Sequence, residues 1–353
     1  MRLDVLLVAY PFAPVGPDAV GGAEQVLSAL DRALAARGHR SRVLACEGSE
    51  TAGELLPLPR VRGPIDEAAR VRIHAALRAT MVATIARDPP DIVHLHGVDA
   101  MDYLPRPGVP ALVTLHLPPS WYPASIWHPP RPDTWLNCVS HSQHVACPAS
   151  PALLPPVPNG VAVETLAARV SKRRFALCLG RICAEKNQHQ ALEAGTRAGL
   201  PVLLGGEVFP YPAHRDYWRD QVAPHLSGTL HRFLGPVGFA RKRRLLSAAR
   251  CLVSASLAPE TSSLVAMEAL ACGTPVVAFP SGALPEIVEH GVTGYIVRDV
   301  SEMADAMHAA ARLDPEACRA AARARFGDEA MAARYLSLHA RLAQREAAHA
   351  LAG

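Results

Sequence analysis

Short apolar runs alternate with longer amphipathic stretches along almost the whole chain. A parallel strand connection needs a crossover, usually a helix, so this rhythm calls for parallel sheets covered by helices. In the first half the strand candidates are Leu3–Ala9, Arg42–Cys46, Asp91–Leu95, Ala111–Leu115 and Leu136–Val139. Helices are expected over Ala23–Ala36, Glu67–Arg87 and Ser142–Ala146. The second half repeats the rhythm without repeating the sequence. Its strands are expected at Phe175–Leu179, Val202–Leu204, Leu230–Phe233, Cys251–Ser254 and Val276–Phe279. Its helices are expected at Asn187–Ala198, Ala240–Ala249, Ser263–Ala271, Ala283–Glu289 and Met303–Arg312, with two more in the tail, broken near Gly327.

Between the halves, Pro148, Pro151, Pro155, Pro156 and Pro158 lead into Asn159-Gly160. Neither a helix nor a central strand runs through such a stretch, so the linker is placed there. A chain of 353 residues suits two domains. The expected division is 1–158, 159–328 and a last helix over 329–353. The fold class is α/β, with two doubly wound, Rossmann-like domains facing across a cleft. Open α/β sheets bind ligands beyond the carboxyl ends of their strands, so the chemistry is sought in those loops.

Composition narrows the partners. Net charge is +4 without a long single-sign run, which gives no reason to expect nucleic acid. No run of 18 uncharged apolar residues occurs, so no membrane span is expected. The N-terminal Met1–Tyr10 carries Asp4 and precedes Pro11, and so reads as a first strand rather than a signal peptide. Eight scattered cysteines without C-x-x-C spacing read as buried free thiols of a cytoplasmic protein. Lysine is scarce: Lys172, Lys186 and Lys242 are the only three among 36 basic residues, which marks each as a residue retained against a strong arginine bias.

Two glutamates eight positions apart carry the strongest chemical signal. They lie in Pro259-Glu260-Thr261-Ser262-Ser263-Leu264-Val265-Ala266-Met267-Glu268-Ala269-Leu270-Ala271-Cys272-Gly273-Thr274-Pro275. Eight residues make about two and a quarter helical turns, which can put both carboxylates on one side. Between them a helix begins, and its free N–H groups suit a phosphate. One anion seat between two hydroxyl-gripping carboxylates suits a nucleotide sugar, with Ser262, Ser263, Leu264 and Val265 at the phosphate. A second constellation is Gly180-Arg181-Ile182-Cys183-Ala184-Glu185-Lys186-Asn187, after a strand and before a helix. Arg181 offers a bidentate fork and Lys186 a point charge, enough to neutralise a departing diphosphate without a metal.

These motifs, continued through Val276-Val277-Ala278, Gly282-Ala283-Leu284-Pro285-Glu286-Ile287-Val288 and Gly291-Val292-Thr293-Gly294-Tyr295, resemble family 4 retaining glycosyltransferases of the GT-B type and their glycogen-synthase-like relatives. The resemblance implies that Glu260 holds the donor sugar, Glu268 the ribose, and Arg181 and Lys186 the diphosphate. It implies backbone contacts from Gly235 to the base, and a last helix that crosses back onto the first domain. It also makes Gly21 and Gly22 a glycine loop facing the donor diphosphate or the acceptor. His116 ends a Thr-Leu-His strand beside the reacting sugar, with the aspartate that commonly follows replaced by Leu117. Relatives carry Gly-Phe-Gly where this chain has Thr261-Ser262-Ser263.

The implied activity is retaining, metal-independent transfer of a hexose-type sugar from a nucleoside diphosphate to an acceptor hydroxyl, by front-face substitution. A UDP-sugar is favoured as donor, a GDP-sugar is possible, and no cofactor or bound metal is expected. The acceptor is a small molecule, glycan or glycolipid. A nucleotide-sugar epimerase and a binding-only protein are the alternatives. His96 could line the acceptor site or be a packed histidine. Arg241-Lys242-Arg243-Arg244 reads as a solvated helix face, with peripheral contact to an acidic membrane as the sharper alternative.

Overall fold

The computed structural model describes residues 2–63, 65–168 and 170–352, with side chains as far as residue 344. Two compact units emerge: residues up to Asn159 together with those from Glu329 onward, and residues Gly160–Asp328.

In the first unit β1 (Asp4–Val8), β2 (Arg40–Cys46), β3 (Glu54–Leu58), β4 (Ile92–Leu95), β5 (Ala111–Leu115) and β6 (Thr134–Cys138) form one parallel sheet in the order β3-β2-β1-β4-β5-β6. Its helices are α1 (Gly22–Ala36), α2 (Glu67–Arg87) and α3 (His141–Val145). The Asp66 side chain starts α2 by accepting from Ala69 N–H at 2.8 Å, and the Ser140 hydroxyl starts α3 by accepting from Gln143 N–H at 3.1 Å. The register aligns Val8 with both Leu44 and Leu95, and Leu115 with Cys138, so the strand ends fall on one edge.

The second unit contains α4 (Val163–Leu166), β7 (Ala176–Leu179), α5 (Gln188–Arg197), β8 (Val202–Gly205), α6 (Pro212–Tyr217), β9 (Arg232–Phe233), α7 (Phe239–Ala248), β10 (Cys251–Ser254), α8 (Leu264–Ala271), β11 (Val276–Ala278), α9 (Leu284–Ile287), β12 (Gly294–Ile296), α10 (Val300–Ala309) and α11 (Pro315–Arg325). Its sheet order is β12-β11-β10-β7-β8-β9, again parallel. Alternating side chains fill two cores. Val253 and Val277 pack on the side of α5 and α10, while Leu252 and Val276 pack on the side of α7, α8 and α11. α12 (Asp328–Ala352) belongs to the first unit from Glu329 on, and buries Tyr335 and His339 there. Tyr335 Oη accepts from Asn137 Nδ2 at 3.2 Å, and His339 Nε2 meets His94 Nδ1 at 3.1 Å. The expected segment 329–353 ends on Gly353, which lies outside the described residues.

Two strands escaped the sequence pattern. β3 contains Pro57, which is tolerated because the strand is at the sheet edge. β12 has three residues, and a Cβ on Gly294 would come within 1.9 Å of the Val276 carbonyl oxygen, so only glycine allows that pairing. The expected helix at Ser263 begins one residue later, at Leu264, because Ser263 adopts a left-handed backbone (φ 40°, ψ 69°). All eight cysteines are free thiols, seven of them buried. No helix among the described residues is long and apolar enough to cross a membrane.

Candidate active site

Both sheets reverse their winding direction once. In the second unit the reversal lies between β7 and β10, and the loops that leave these two strands flank the crevice where open α/β sheets bind ligands. One of these loops carries Gly180–Lys186; the other carries Glu260 and runs into α8. They meet through an ion pair: Lys186 Nζ lies 2.5 Å from Glu260 Oε1. Glu260 keeps only 10% of its side-chain surface, Lys186 about a third, and Arg181 is exposed.

Glycines bring the backbone close around this point. A Cβ on Gly282 would stand 2.2 Å from the Glu260 carbonyl oxygen, so the loop bearing Glu260 nests against a residue that must be glycine. Gly206 N–H donates to the Gly235 carbonyl at 2.9 Å, and a Cβ on Gly206 would strike the Gly180 carbonyl oxygen at 1.9 Å. Gly180, Gly206 and Gly235 thus gather at the carboxyl ends of β7, β8 and β9. Among the described residues, its chain neighbours aside, none stands within 4 Å of the Cβ position of Gly235.

Glu268 faces a different partner. Its Oε1 lies 2.5 Å from Lys242 Nζ, with 7% and 16% of the two side chains exposed. Burial raises the Glu268 carboxyl above its ordinary pKa, and nearby Lys242 only partly offsets this. This corrects the solvated-face reading of Arg241–Arg244. Lys242 turns inward onto Glu268, and Arg243 donates to the carbonyls of Ala167 (2.9 Å) and Leu166 (3.4 Å), which leaves Arg241 and Arg244 exposed. The helical-spacing argument for the two glutamates also needs correcting, because Glu260 precedes α8 and Ser263 is not helical. Ser262 and Ser263 are buried, and the first N–H groups of α8, at Leu264 and Val265, have no acceptor within their own helix.

The third lysine completes the pattern. Lys172 donates to Thr274 Oγ1, which itself donates to the Leu246 carbonyl, and burial lowers the lysine pKa to about 8. Each lysine therefore touches the 260–274 segment. Lys242 and Lys172 were missed as members of this assembly, although the scarcity of lysine was the signal that could have found them.

In the first unit the winding reverses between β1 and β4. Gly21 is the residue before α1 and Gly22 its first residue. The buried Glu24 carboxyl already occupies this helix start: a Cβ on Gly21 would lie 1.9 Å from Glu24 Oε2. Burial raises the Glu24 pKa. An anion at Gly21 and Gly22 must share the helix start with this carboxyl. His116 follows β5, and its N–H donates to Tyr122 Oη at 2.9 Å. His116 Nε2 meets His96 Nδ1 at 3.0 Å, with the rings stacked 5.2 Å apart. Burial lowers His116 to a pKa of about 4 and His96 well below the usual imidazole value, so both are neutral near pH 7. The His96 Nε2 atom is buried without a partner among the described residues.

The model for Glycosyltransferase Family 4 matches residues 20–153, and that for Glycosyl transferases group 1 matches residues 173–312. Over 91% of its length the chain is 27% identical to glycogen synthase from Mycobacterium tuberculosis, covering 88% of that protein. A 94-residue stretch, 26% of this chain and 22% of the relative, is 43% identical to D-inositol 3-phosphate glycosyltransferase from Mycobacterium avium. The fold is similar to that of sucrose-phosphate synthase from Thermosynechococcus elongatus (TM-score 0.79, 21% identity, 97% of this chain and 99% of that one). It is also similar to that of Anabaena HepE solved in complex with UDP and glucose (TM-score 0.75, 18% identity, 96% and 99%). The paired parallel sheets and the matched halves define a glycosyltransferase enzyme. The chain belongs to glycosyltransferase family 4, with the GT-B fold.

Proposed function

We propose that this enzyme moves a hexose-type sugar from a nucleoside diphosphate, with UDP favoured over GDP, to an acceptor hydroxyl with retention of anomeric configuration. The observation that carries this reading is the Lys186–Glu260 pair at the winding reversal of the second unit, which sets a cation and a hydroxyl-gripping carboxylate side by side. Glu260 accepts hydrogen bonds from the sugar, and Lys186 and Arg181 neutralise the diphosphate as its bond to the anomeric carbon breaks. The N–H groups of Leu264 and Val265, with Ser262 and Ser263, hold phosphate oxygens at the start of α8. Glu268 releases Lys242 in part and takes the ribose hydroxyls, and the Gly235 backbone contacts the base. Substitution proceeds on the front face, with a leaving phosphate oxygen taking the acceptor proton. No metal enters the chemistry in this reading, because two cations already stand at the diphosphate. HepE, whose structure holds UDP and glucose, lends support to a UDP-sugar donor. The acceptor is a small molecule, glycan or glycolipid, steadied by neutral His116 acting as a hydrogen-bond partner.

Thermal shift against UDP-, GDP-, dTDP- and ADP-sugars tests the grip. A donor at a hundred times its Kd stabilises by about 2.7 kcal/mol. One nucleotide series raises Tm by several degrees in the parent, and the rise is lost in Glu268→Ala. Equal shifts in parent and variant would remove Glu268 from the site. Absence of any shift, followed by no donor consumption with an acceptor library, would overturn the reading.

A further inference from the structure

One cluster of metal-ligating side chains stands outside this machinery. Cys183 and Glu185, on the loop between Arg181 and Lys186, come together with His214 of α6. One ligand atom from each lies within 4.8 Å of the other two, and among the described residues these three form the one such group. Sequence spacing gives no hint of it, since His214 is 31 positions from Cys183 and no C-x-x-C pair is present. We propose that Cys183, Glu185 and His214 form a binding site for a thiophilic divalent cation of the zinc class, which ties the start of α6 to the phosphate-binding loop.

The donor set is what such an ion selects: one sulfur, one imidazole nitrogen and one carboxylate oxygen. Tetrahedral coordination at about 2.0–2.3 Å puts ligands roughly 3.3–3.8 Å apart, so the three atoms need close by at most about 1–1.5 Å. Glu185 is exposed, which leaves it free to make that adjustment, while His214 is half-buried and buried Cys183 forms the floor. The His214 Nδ1 atom is buried with no hydrogen-bond partner among the described residues, and a cation would give such an orphaned nitrogen a partner. The side chain is kept in place by edge-on packing against Tyr211 and Phe209, with ring centroids at 5.2 and 6.3 Å.

The protonation states suit the ligands. Hydrogen bonding to the backbone holds the Glu185 carboxyl below its usual pKa, and burial together with Arg181 keeps His214 neutral with its lone pair available. The Cys183 thiol is raised by burial, so it enters as the thiol and gives up its proton when the sulfur–metal bond forms. Binding therefore releases one proton and tightens as pH rises. A dication with one thiolate, one carboxylate and a neutral imidazole is uncharged overall and does not repel Arg181. Three protein ligands leave a fourth position for water. The loop it fastens is the one that presents both cations, so occupancy would limit how far Arg181 and Lys186 move relative to α6. The three ligands come together independently of which donor the enzyme uses.

The test is titration of the purified full chain with Co2+ and with Zn2+ in competition with a chromophoric chelator. The expected result is one equivalent of Co2+ bound, with a thiolate-to-cobalt charge-transfer band. That band disappears in Cys183→Ser and persists in Cys147→Ser, which removes the more accessible thiol. His214→Ala and Glu185→Gln weaken Zn2+ binding at least about tenfold. If circular dichroism shows that Cys183→Ser does not fold, these two variants decide the matter. A band that survives in folded Cys183→Ser, unchanged affinity in both other variants, or no stoichiometric binding in the parent overturns the proposal.

Discussion

The two units share one strand order, yet they set very different chemistry at its point of reversal. The second unit places formal charge there, with Lys186 against Glu260 and Arg181 exposed beside them. The first unit places neutral imidazoles at its carboxyl edge, the stacked His96 and His116, and a buried carboxyl, Glu24, whose pKa burial raises, over the start of α1. Topology decides where a site can be; the residues put there decide whether it handles phosphate charge or hydroxyl hydrogen bonds.

Acid should separate the units most strongly. His94 and His96 are lowered well below their usual pKa by burial, His116 to about 4 and His339 to about 3. A histidine lowered on folding leaves the unfolded chain with more bound protons. Its contribution is intact above about pH 6.5 and is lost as pH falls towards the folded value. At about 1.4 kcal/mol per pKa unit, His116 alone costs about 3 kcal/mol by pH 4. Three of the four tryptophans, Trp121, Trp127 and Trp135, lie in the first unit. Melts followed by their fluorescence should lose well over ten degrees between pH 7 and 4.5. A Tm unchanged across that range would mean that the histidines are hydrated and the contrast is false.

Charge removal should strike the second unit's chemistry in turn. If Lys186 neutralises the departing diphosphate as proposed, Lys186→Ala should lower kcat by about 10²–10³. Glu260→Gln should lower kcat as well, and the double variant should lose less than the two losses combined because the residues act as a pair. Strict additivity would break the pairing argument. Lys242→Ala tests stability instead. It strands a buried Glu268 carboxylate at a cost of about 3 kcal/mol. A carboxyl whose folded pKa is raised stabilises below its unfolded pKa and loses that contribution as pH rises through the folded value. The Tm deficit of the variant should therefore be larger at pH 8 than at pH 5. A deficit independent of pH would show Glu268 to be solvated.

How much of this was legible beforehand follows from range. The alternating pattern gave both parallel sheets, since burial of strand faces is a local property, and Ala111–Leu115, Glu67–Arg87 and Cys251–Ser254 fall on their expected bounds. The edge strands β3 and β12 were not legible: Pro57 reads as a breaker, and Gly294 is explained only by the Val276 backbone lying against it. The segment carrying Glu260 and Glu268 was legible as a motif, but the partner of Glu268 was not. Lys242 lies 26 positions away inside a basic run that looks solvated, and only the packing of α7 beside α8 turns it inward. Cys183 and His214 are brought together by tertiary structure alone.

The smallest effect concerns the place where this chain departs from its relatives. Ser263 occupies the position of the second glycine in Gly-Phe-Gly, and its φ of 40° shows why glycine suits it. A left-handed backbone costs a non-glycine residue about 1–2 kcal/mol, and glycine costs about 0.5–1 kcal/mol in chain entropy, so Ser263→Gly should stabilise by up to about 1 kcal/mol. Strain retained at such a position points to use of the side chain. If the Ser263 hydroxyl holds a donor phosphate, the same variant should gain a few degrees of Tm while its donor KM rises severalfold at nearly constant kcat. A gain in Tm with unchanged KM would make the serine a mere substitution at a glycine position. A fall in Tm would show that the hydroxyl stabilises the loop by more than its backbone costs.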